Sequence, residues 1–590
     1  MADMLTIATS ATTAFNRALQ VTSHNIANVN TEGYNRQRVE FEATSAGSLV
    51  SRFNGTGTFS KQVERMYDEF LFQQLTSSNS EVKGFETRLG LANQIEGALG
   101  SVDLGMQSAL LGYFDALQGL ATNPESTIFK GQALDQANTL VATVNSAQQV
   151  LAQTEAQINN QMSQLATDIN ERLVQLREVN FGIKTASTSG MQEPNDLFDK
   201  RDQLTYELSE LVGIRTKINT DGTVEVFSAN NRIPLLADNK VIPLQVQSDN
   251  YPGRERNEVF VTLNGQTTQV SDLLRGGGEL GGLLEVRDNL LDKTYERLGM
   301  VLNGFVAAQN VQNQQGWDAA GNPGEAIFTP LSFNAFAQQG NSATSSVTVE
   351  LALPSFDPTD PTLTYGDKQQ VLADSFTAIG QLKPASYQID FDGTDLRITN
   401  LTTREVQLTA FNPATDDFVD FQGLRFNVDN VAPGDRFQVS PHRGMIEQFG
   451  INLSTPDQLA TRGQNPLQLD PSDLATPAAV GDNLNVANLA ALQNKKLLNS
   501  VGGQPTMSIL QGYAQVTTDI GRYVNRSESL FQSTSTAFDF LLQKRESVSG
   551  VNLDEEAANL LRFQQAYQAA AQVIQTSQSL FQTLLGAVRS

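Results

Sequence analysis

The sequence predicts a multidomain α+β chain. Helices of coiled-coil periodicity lie at both termini, a long helical-bundle rod lies between them, and all-β modules are inserted into it. Three observations predict this. Small or apolar residues recur every seven positions near both ends. The long stretches between them keep a helical period. Two internal segments switch to period two around Asp-Gly turns. The 590 residues give room for about four domains of ~150 residues.

In the first helix Met4, Ala11, Ala18 and Asn25 form one row. Ile7, Ala14, Val21 and Asn28 form the next. Small residues let helices approach closely but bury little area each. Thr6, Thr9, Thr12, Thr13 and Thr22 are poor helix formers. The helix is therefore marginal alone and needs a partner. It ends in Asn30-Thr31-Glu32-Gly33, where Gly33 can turn left-handed.

Further helices are expected over 61–99, 105–121, 130–180, 196–212, 283–312 and 506–548. Together they read as a rod-like bundle. Residues 214–270 alternate with period two around Asp221-Gly222. Residues 345–440 do so more strongly. Tyr387, Ile389 and Phe391 alternate into Asp392-Gly393, and Leu396 and Ile398 alternate out. The Pro-dense run 357–362 argues for turns. In the last helix Leu553, Leu560, Tyr567, Ile574 and Phe581 recur every seven, beside a companion row of Glu556, Phe563, Ala570, Ser577 and Leu584. Asn552 and Glu555 have the spacing of a capping box at its start.

Charge narrows the function. With 40 Lys plus Arg against 64 Asp plus Glu, the net charge is −24. Phosphate backbones and anionic membranes repel such a chain, and no basic cluster offsets this. Zero Cys excludes disulfides, thiolate metal sites and thiol catalysis. No signal peptide is visible, since an acid stands where a basic start belongs. The longest uncharged stretch, 563–588, holds seven glutamines and does not read as a membrane span. Residues 4–31 hold only Arg17 as a formal charge. Polar but uncharged faces at both ends suit crowding against other subunits without like-charge repulsion.

No motif rises to a catalytic constellation. Gly276, Gly278 and Gly281 satisfy GxGxxG, but what precedes them is not a strand. A flexible loop re-entering the bundle is the expectation there. Asp390, Asp392 and Asp395 lack the remaining calcium-ligand pattern and read as a hairpin. Asp416, Asp417 and Asp420 read as a solvated loop, and His442 as a loop residue. His24 has no second histidine nearby and reads as a satisfied or exposed side chain. No cofactor, metal or catalytic residue is expected.

Two segments carry a resemblance. The N-terminal one is NIANVNTEGYNR, residues 25–36, and the C-terminal one is SGVNLDEEAANLLRFQQAYQAAAQVI, residues 549–574. Together, at opposite ends of one chain, they resemble the bacterial flagellar axial proteins: rod, hook and hook-associated proteins. The N-terminal match rests on Asn25, Ile26, Ala27, Asn28, Thr31, Gly33 and Tyr34. The segments 194–213, 277–291, 481–494 and 544–556 resemble the hook-associated members. The likeness fades over about 320–475, and Asn313 stands where a histidine is expected.

The resemblance implies a structural adaptor, not an enzyme, polymerising at the hook–filament junction. The terminal helices would pair as a coiled coil lining an axial channel. Leu553, Leu560, Tyr567, Ile574 and Phe581 would bury against Met4, Ile7, Ala11, Ala14, Ala18 and Val21. Asn28, Thr31, Gly33 and Tyr34 would set the turn out of the first helix, and Asn552, Glu555 and Phe563 complete the C-terminal set. Implied partners are copies of itself, the hook protein, an adjacent hook-associated junction protein, an export chaperone on the C-terminal helix, and the flagellar type III export apparatus. No nucleic acid or membrane is among them. The expected location is extracellular, in the flagellum, reached without a cleaved signal peptide. The expected units are a terminal axial helix and loop (1–60), helical rod (61–215), a first β module (216–280) and a returning helix (281–318). An outer β module (319–480), more rod (481–550) and a C-terminal axial helix (551–590) follow. A secreted adhesin using the β modules, or an enzyme acting on cell-wall glycan, are the rival readings. Neither accounts for the paired terminal motifs.

Overall fold

The computed structural model describes residues 2–43, 57–100, 105–188 and 194–589. It opens with α1 (Ala2–Ala27) and an antiparallel hairpin, β1 (Gln37–Ala43) with β2 (Thr58–Arg65). The expected loop is therefore largely this hairpin, and its residues 44–56 lie outside the described residues. Val39 and Val63 face each other in the ladder and bury under α1 beside Ala18. This burial corrects the helix expected from residue 61. The ladder holds residues 58–65 extended, and α2 (Glu69–Leu99) begins where Asp68 caps it by accepting from the Leu71 N–H.

The rod continues with α3 (Met106–Thr122), α4 (Thr127–Thr188) and α5 (Asn195–Leu211). At 62 residues, α4 is roughly 90 Å long. The first β module follows. β3 (Ile214–Ile218), β4 (Val224–Ser228), β5 (Pro234–Ala237) and β6 (Lys240–Val241) form one sheet in sequence order. β7 (Leu244–Ser248), β8 (Asn257–Leu263) and β9 (Gln266–Gln269) form another. The chain then re-enters the bundle as α6 (Gly278–Val286), a π turn over Arg287–Leu291, and α7 (Asp292–Gln315).

The glycine run at this re-entry is a buried crossing rather than a flexible loop. Gly277 and Gly278 have φ of +124° and +69°. A Cβ on Gly278 would lie 2.5 Å from the Val212 backbone. Glycine here lets α6 press against the end of α5.

The outer module holds two antiparallel sheets. One contains β10 (Ser332–Asn334), β12 (Ser346–Leu351), β17 (Leu424–Asp429) and β16 (Phe418–Phe421), in that spatial order. The other runs β11 (Phe336–Ala337), β18 (Arg436–Val439), β13 (Tyr387–Phe391), β14 (Asp395–Asn400) and β15 (Val406–Ala410). Tyr387, Ile389 and Phe391 point inward, as their alternation predicts. The module is not purely β. It carries α8 (Tyr365–Gln381), opened by a capping box between Thr364 and Asp367, and α9 (Pro441–Gln448). The prolines that argued for turns end just before that box. His442 accordingly lies in the first turn of α9, not in a loop. It is fully buried, with Nδ1 2.9 Å from Asn303 Nδ2 and Nε2 2.7 Å from the Lys383 carbonyl. Burial drives its pKa down to about 4, so it is neutral at pH 7.

The chain returns through α10 (Leu484–Ala491), the hairpin β19 (Leu498–Val501)–β20 (Gln504–Met507), α11 (Ile509–Ser549) and α12 (Leu553–Arg589). One apolar core runs continuously through the rod and both modules. Its centre is α7, buried at every position from Leu298 to Asn313.

Candidate functional site

α1 and α12 pack along each other in antiparallel sense. Asn25 bonds Glu556, while Ala18, seven residues earlier, shares a cluster with Phe563, seven residues later. A seven-residue repeat on both helices keeps that register. The threonines of α1 settle their hydroxyls locally: Thr9 on the Leu5 carbonyl, Thr12 on Ala8 and Thr13 on Thr9.

The burial corrects which row of α12 faces α1. Glu556, Ala570 and Ser577 are buried and Phe563 is half-buried, so the companion row forms the seam. Leu560, Tyr567 and Ile574 are half-buried at its flank, and Leu553 and Phe581 are 50% and 55% exposed. On α1, Ala14 and Ala18 are buried and Ala11 and Val21 half-buried, whereas Met4 and Ile7 are exposed. The reason is steric. An alanine-lined stripe admits Ala570 and Ser577 at close range and pushes larger side chains outward.

At the base of the pair sits a polar knot built around Asn25, which is 1% exposed. Its Nδ2 donates to the Gln37 carbonyl at 2.9 Å and to Glu556 Oε2 at 3.1 Å. Its Oδ1 accepts from the Tyr34 hydroxyl at 2.7 Å and from the Gln37 N–H at 3.0 Å. Both faces of the amide are thus used. Burial, with Asp199 and Asp196 nearby, raises the Tyr34 pKa well above the usual phenol range, which keeps the hydroxyl a donor. His24 Nδ1 lies 3.1 Å from the same hydroxyl.

The turn out of α1 is set locally. Asn28 Nδ2 donates to the His24 carbonyl, Thr31 Oγ1 donates to Asn28 Oδ1, and the Tyr34 N–H donates to the Thr31 carbonyl. Gly33 has φ +79°, and a Cβ there would lie 2.5 Å from Gln203 Oε1. Ile26 is half-buried and Ala27 exposed.

Arg36 closes the knot. Its Nε and Nη1 donate to Glu556 and Glu555, each at 2.8 Å, and its N–H donates to the Ser549 carbonyl. Asn552 Oδ1 accepts from the Asp554 and Glu555 N–H groups, as a cap should. The other arm of the expected capping box goes elsewhere, because Glu555 turns its carboxylate to Arg36. Asn35 donates to Asp199, which with Asp202 also takes Arg65, tying the knot to α5. In the sequence Arg36 ends the matched N-terminal segment and Glu556 heads the companion row, but only the fold brings the two together.

The other marked residues have structural roles. Asp390 pairs with Arg436, and Asp392 accepts from Thr394 in its own turn. Asn313 Nδ2 donates to the Glu325 carbonyl, and its Oδ1 accepts from the Ala460 N–H. Among the described residues no group of three His, Asp or Glu side chains could hold a metal ion, and no helix is long and apolar enough to cross a membrane.

Comparison with known proteins decides the family. The chain is 30% identical over 590 residues to flagellar hook-associated protein 1 of Salmonella typhimurium, covering 99% of this chain and 100% of the relative. The chain belongs to the flagellar hook-associated protein 1 family. The Escherichia coli member is 27% identical, covering 99% of this chain and all of its own length. A family model described as the flagellar hook-associated protein FlgK helical domain matches residues 92–328. Models for the flagella basal body rod protein and for the C-terminal part of the rod proteins FlgEFG match 5–35 and 542–587, which are the two halves of the terminal pair. The structure of the flagellar hook junction protein FlgK from Burkholderia pseudomallei shares the fold. Its TM-score is 0.67 at 20% identity, over 81% of this chain and 100% of that one. The family is a structural one of the bacterial flagellum.

Proposed function

We propose that this chain polymerises at the hook–filament junction and joins the hook to the filament by packing, without catalysis. The observation that carries this is the unfinished burial of the terminal pair. Met4, Leu5 and Ile7 at one end of α1, and Leu580, Phe581, Leu584 and Leu585 in the uncharged later part of α12, are exposed. Apolar surface of this kind marks an interaction site. Neighbouring copies would complete the burial, with α1 and α12 lining the axis. The units then divide the work: the terminal helices assemble, the α2–α7 and α11 bundle forms the wall, and the β modules face outward. One rim docks on hook protein and the other on the adjacent junction protein. Passage through the flagellar type III apparatus, with a chaperone holding α12, brings the chain outside without a cleaved signal.

The test is deletion of the gene, with electron microscopy of the cell surface and an immunoblot for flagellin in the medium. Hooks without filaments, with flagellin shed as monomer, are expected. Bare cells lacking hooks would move the chain down the axis, and normal filaments would refute the junction role.

A further inference from the structure

Two grooves of opposite charge flank the packed helices α2 and α11. One, of about 480 Å³, opens between α7 and α11. Lys293 and Arg297 line it from α7, and Arg522 and Arg526 from α11. Each pair is spaced i, i+4, where like charges repel. Asp519 is the single carboxylate lining this groove, and Arg297 and Arg522 both lean on it. Burial and the neighbouring Arg522 lower the Arg297 pKa, against a smaller upward pull from Glu296. In a chain at −24, four cations gathered over an apolar floor of Val516 and Ile520 are conspicuous.

The other groove, about 630 Å³, opens between α2 and α4 with Glu279 of α6 at its base. Asp168 lines it too, and Glu86 and Glu210 are close enough to act on Glu279. Lys83 is the ammonium among them, and its ion pair is with Glu86 at 3.2 Å. Burial and the three neighbouring carboxylates push the Glu279 pKa up, with Lys83 opposing them. Each groove thus carries an excess of like charge that the single chain does not neutralise.

We propose that the basic α7–α11 groove of one copy seats the acidic rim of the α2–α4 groove of the next, in a head-to-tail contact between neighbouring subunits. A ring or helical tube requires two different, complementary patches on one chain, and these grooves meet that condition. The occupant is a second copy of this chain, because that copy carries the matching charge at a matching scale. Opposed potentials of this kind set register and reject wrong pairings more than they add affinity. The proposal rests on the polymerising role above.

The test uses full-length chains in a strain lacking its own copy, with filamented hooks counted by electron microscopy. One chain carries Arg522→Glu with Arg526→Glu, a second carries Glu86→Lys with Asp168→Lys, and a third carries all four. Each reversal alone is expected to lower filamented hooks at least about tenfold, since opposed like charges at an interface are strongly unfavourable. The four-fold variant is expected to restore them. Circular dichroism and Tm check that each purified chain is folded, and Lys293→Glu or Glu210→Lys replaces a pair that is not. Normal filaments from either reversed pair would overturn the proposal. So would a loss that the combined chain does not restore, which would assign the basic groove to an acidic partner other than this chain. Failure of the junction role is read separately, as filaments persisting in the deletion strain itself.

Discussion

α7 and the α1–α12 pair have nearly the same composition and opposite environments. Beyond Arg297, α7 is free of charge and rich in Asn and Gln, as α1 and the later part of α12 are. In α7 the amides of Asn303, Asn310, Gln312 and Asn313 all bond inside the chain. Asn310 takes both the N–H and the carbonyl of Phe328, Asn303 meets His442, and Gln312 donates to Asn485. In the terminal pair Asn25 is tied in the same way, but the apolar side chains at the far end, Met4, Ile7, Phe581 and Leu584, are exposed. An uncharged polar helix is therefore a sign of burial. For α7 the burial is complete in one chain, and for α1 and α12 it is outstanding.

The largest expected effect tests the completed side. Asn310→Ala removes the partners of two buried backbone groups in one step, at about 1–3 kcal/mol each. Thermal unfolding of the purified chain is expected to shift several degrees downward, with the outer module loosened from the rod. An unchanged Tm would show that water reaches α7, and the contrast with the terminal pair would collapse.

A second test uses pH at the same helix. Glu296, on α7, accepts from Ser386 and Thr402 of the outer module, and burial with nearby Asp292 pushes its pKa up to about 7. Its folded pKa exceeds its unfolded value, so its stabilising share is complete below about 4.5 and is lost as pH rises through about 7. Glu296→Gln is expected to stabilise the outer module by about 3 kcal/mol at pH 8 and by almost nothing at pH 4. Equal shifts at both pH values would mean that the carboxyl is solvated.

Where the sequence was legible follows from the same contrast. Periodicity located the rod helices and the β13–β14 hairpin because each has one face in and one face out. The resemblance carried by the two end segments implied that the termini pair, and their motifs meet at Asn25 and Glu556, 531 residues apart. Periodicity failed where local signals compete. The ladder partner of residues 58–65 is β1, on the far side of an intervening stretch, so residues 61–65 read as the start of a helix. The capping box of α8 sat behind a run of prolines. Within α12 the choice between two heptad rows was decided by size: hydrophobicity favoured the Leu553 row, but an alanine partner accepts the smaller row. No single-chain pattern could fix the knot's charges, because Arg36 meets Glu555 and Glu556 only after folding.

A smaller effect is expected at the knot. Tyr34→Phe removes one hydrogen bond to Asn25, worth about 1 kcal/mol. The cost falls on α1 and the hairpin, so hydrogen exchange in residues 4–27 should accelerate while the Tm of the rod holds. Protection unchanged in α1 would show that the motif tyrosine serves something other than this turn.

The smallest effect on the isolated chain carries the most weight for function. Phe581 is 55% exposed and Ile574 half-buried on the outer flank of α12. Phe581→Asp removes little burial from the single chain, whose stability is expected to stay within about 0.5 kcal/mol of the parent. In an assembled axis the same carboxylate would be forced into apolar surface beside its copies, where an unpaired charge costs several kcal/mol. Phe581→Asp should therefore leave a purified chain that melts normally yet is absent from hook tips, as read by immunogold labelling. If that chain is incorporated and filaments grow, the exposed row is not an interface, and the difference between α7 and the terminal pair is one of solvation alone.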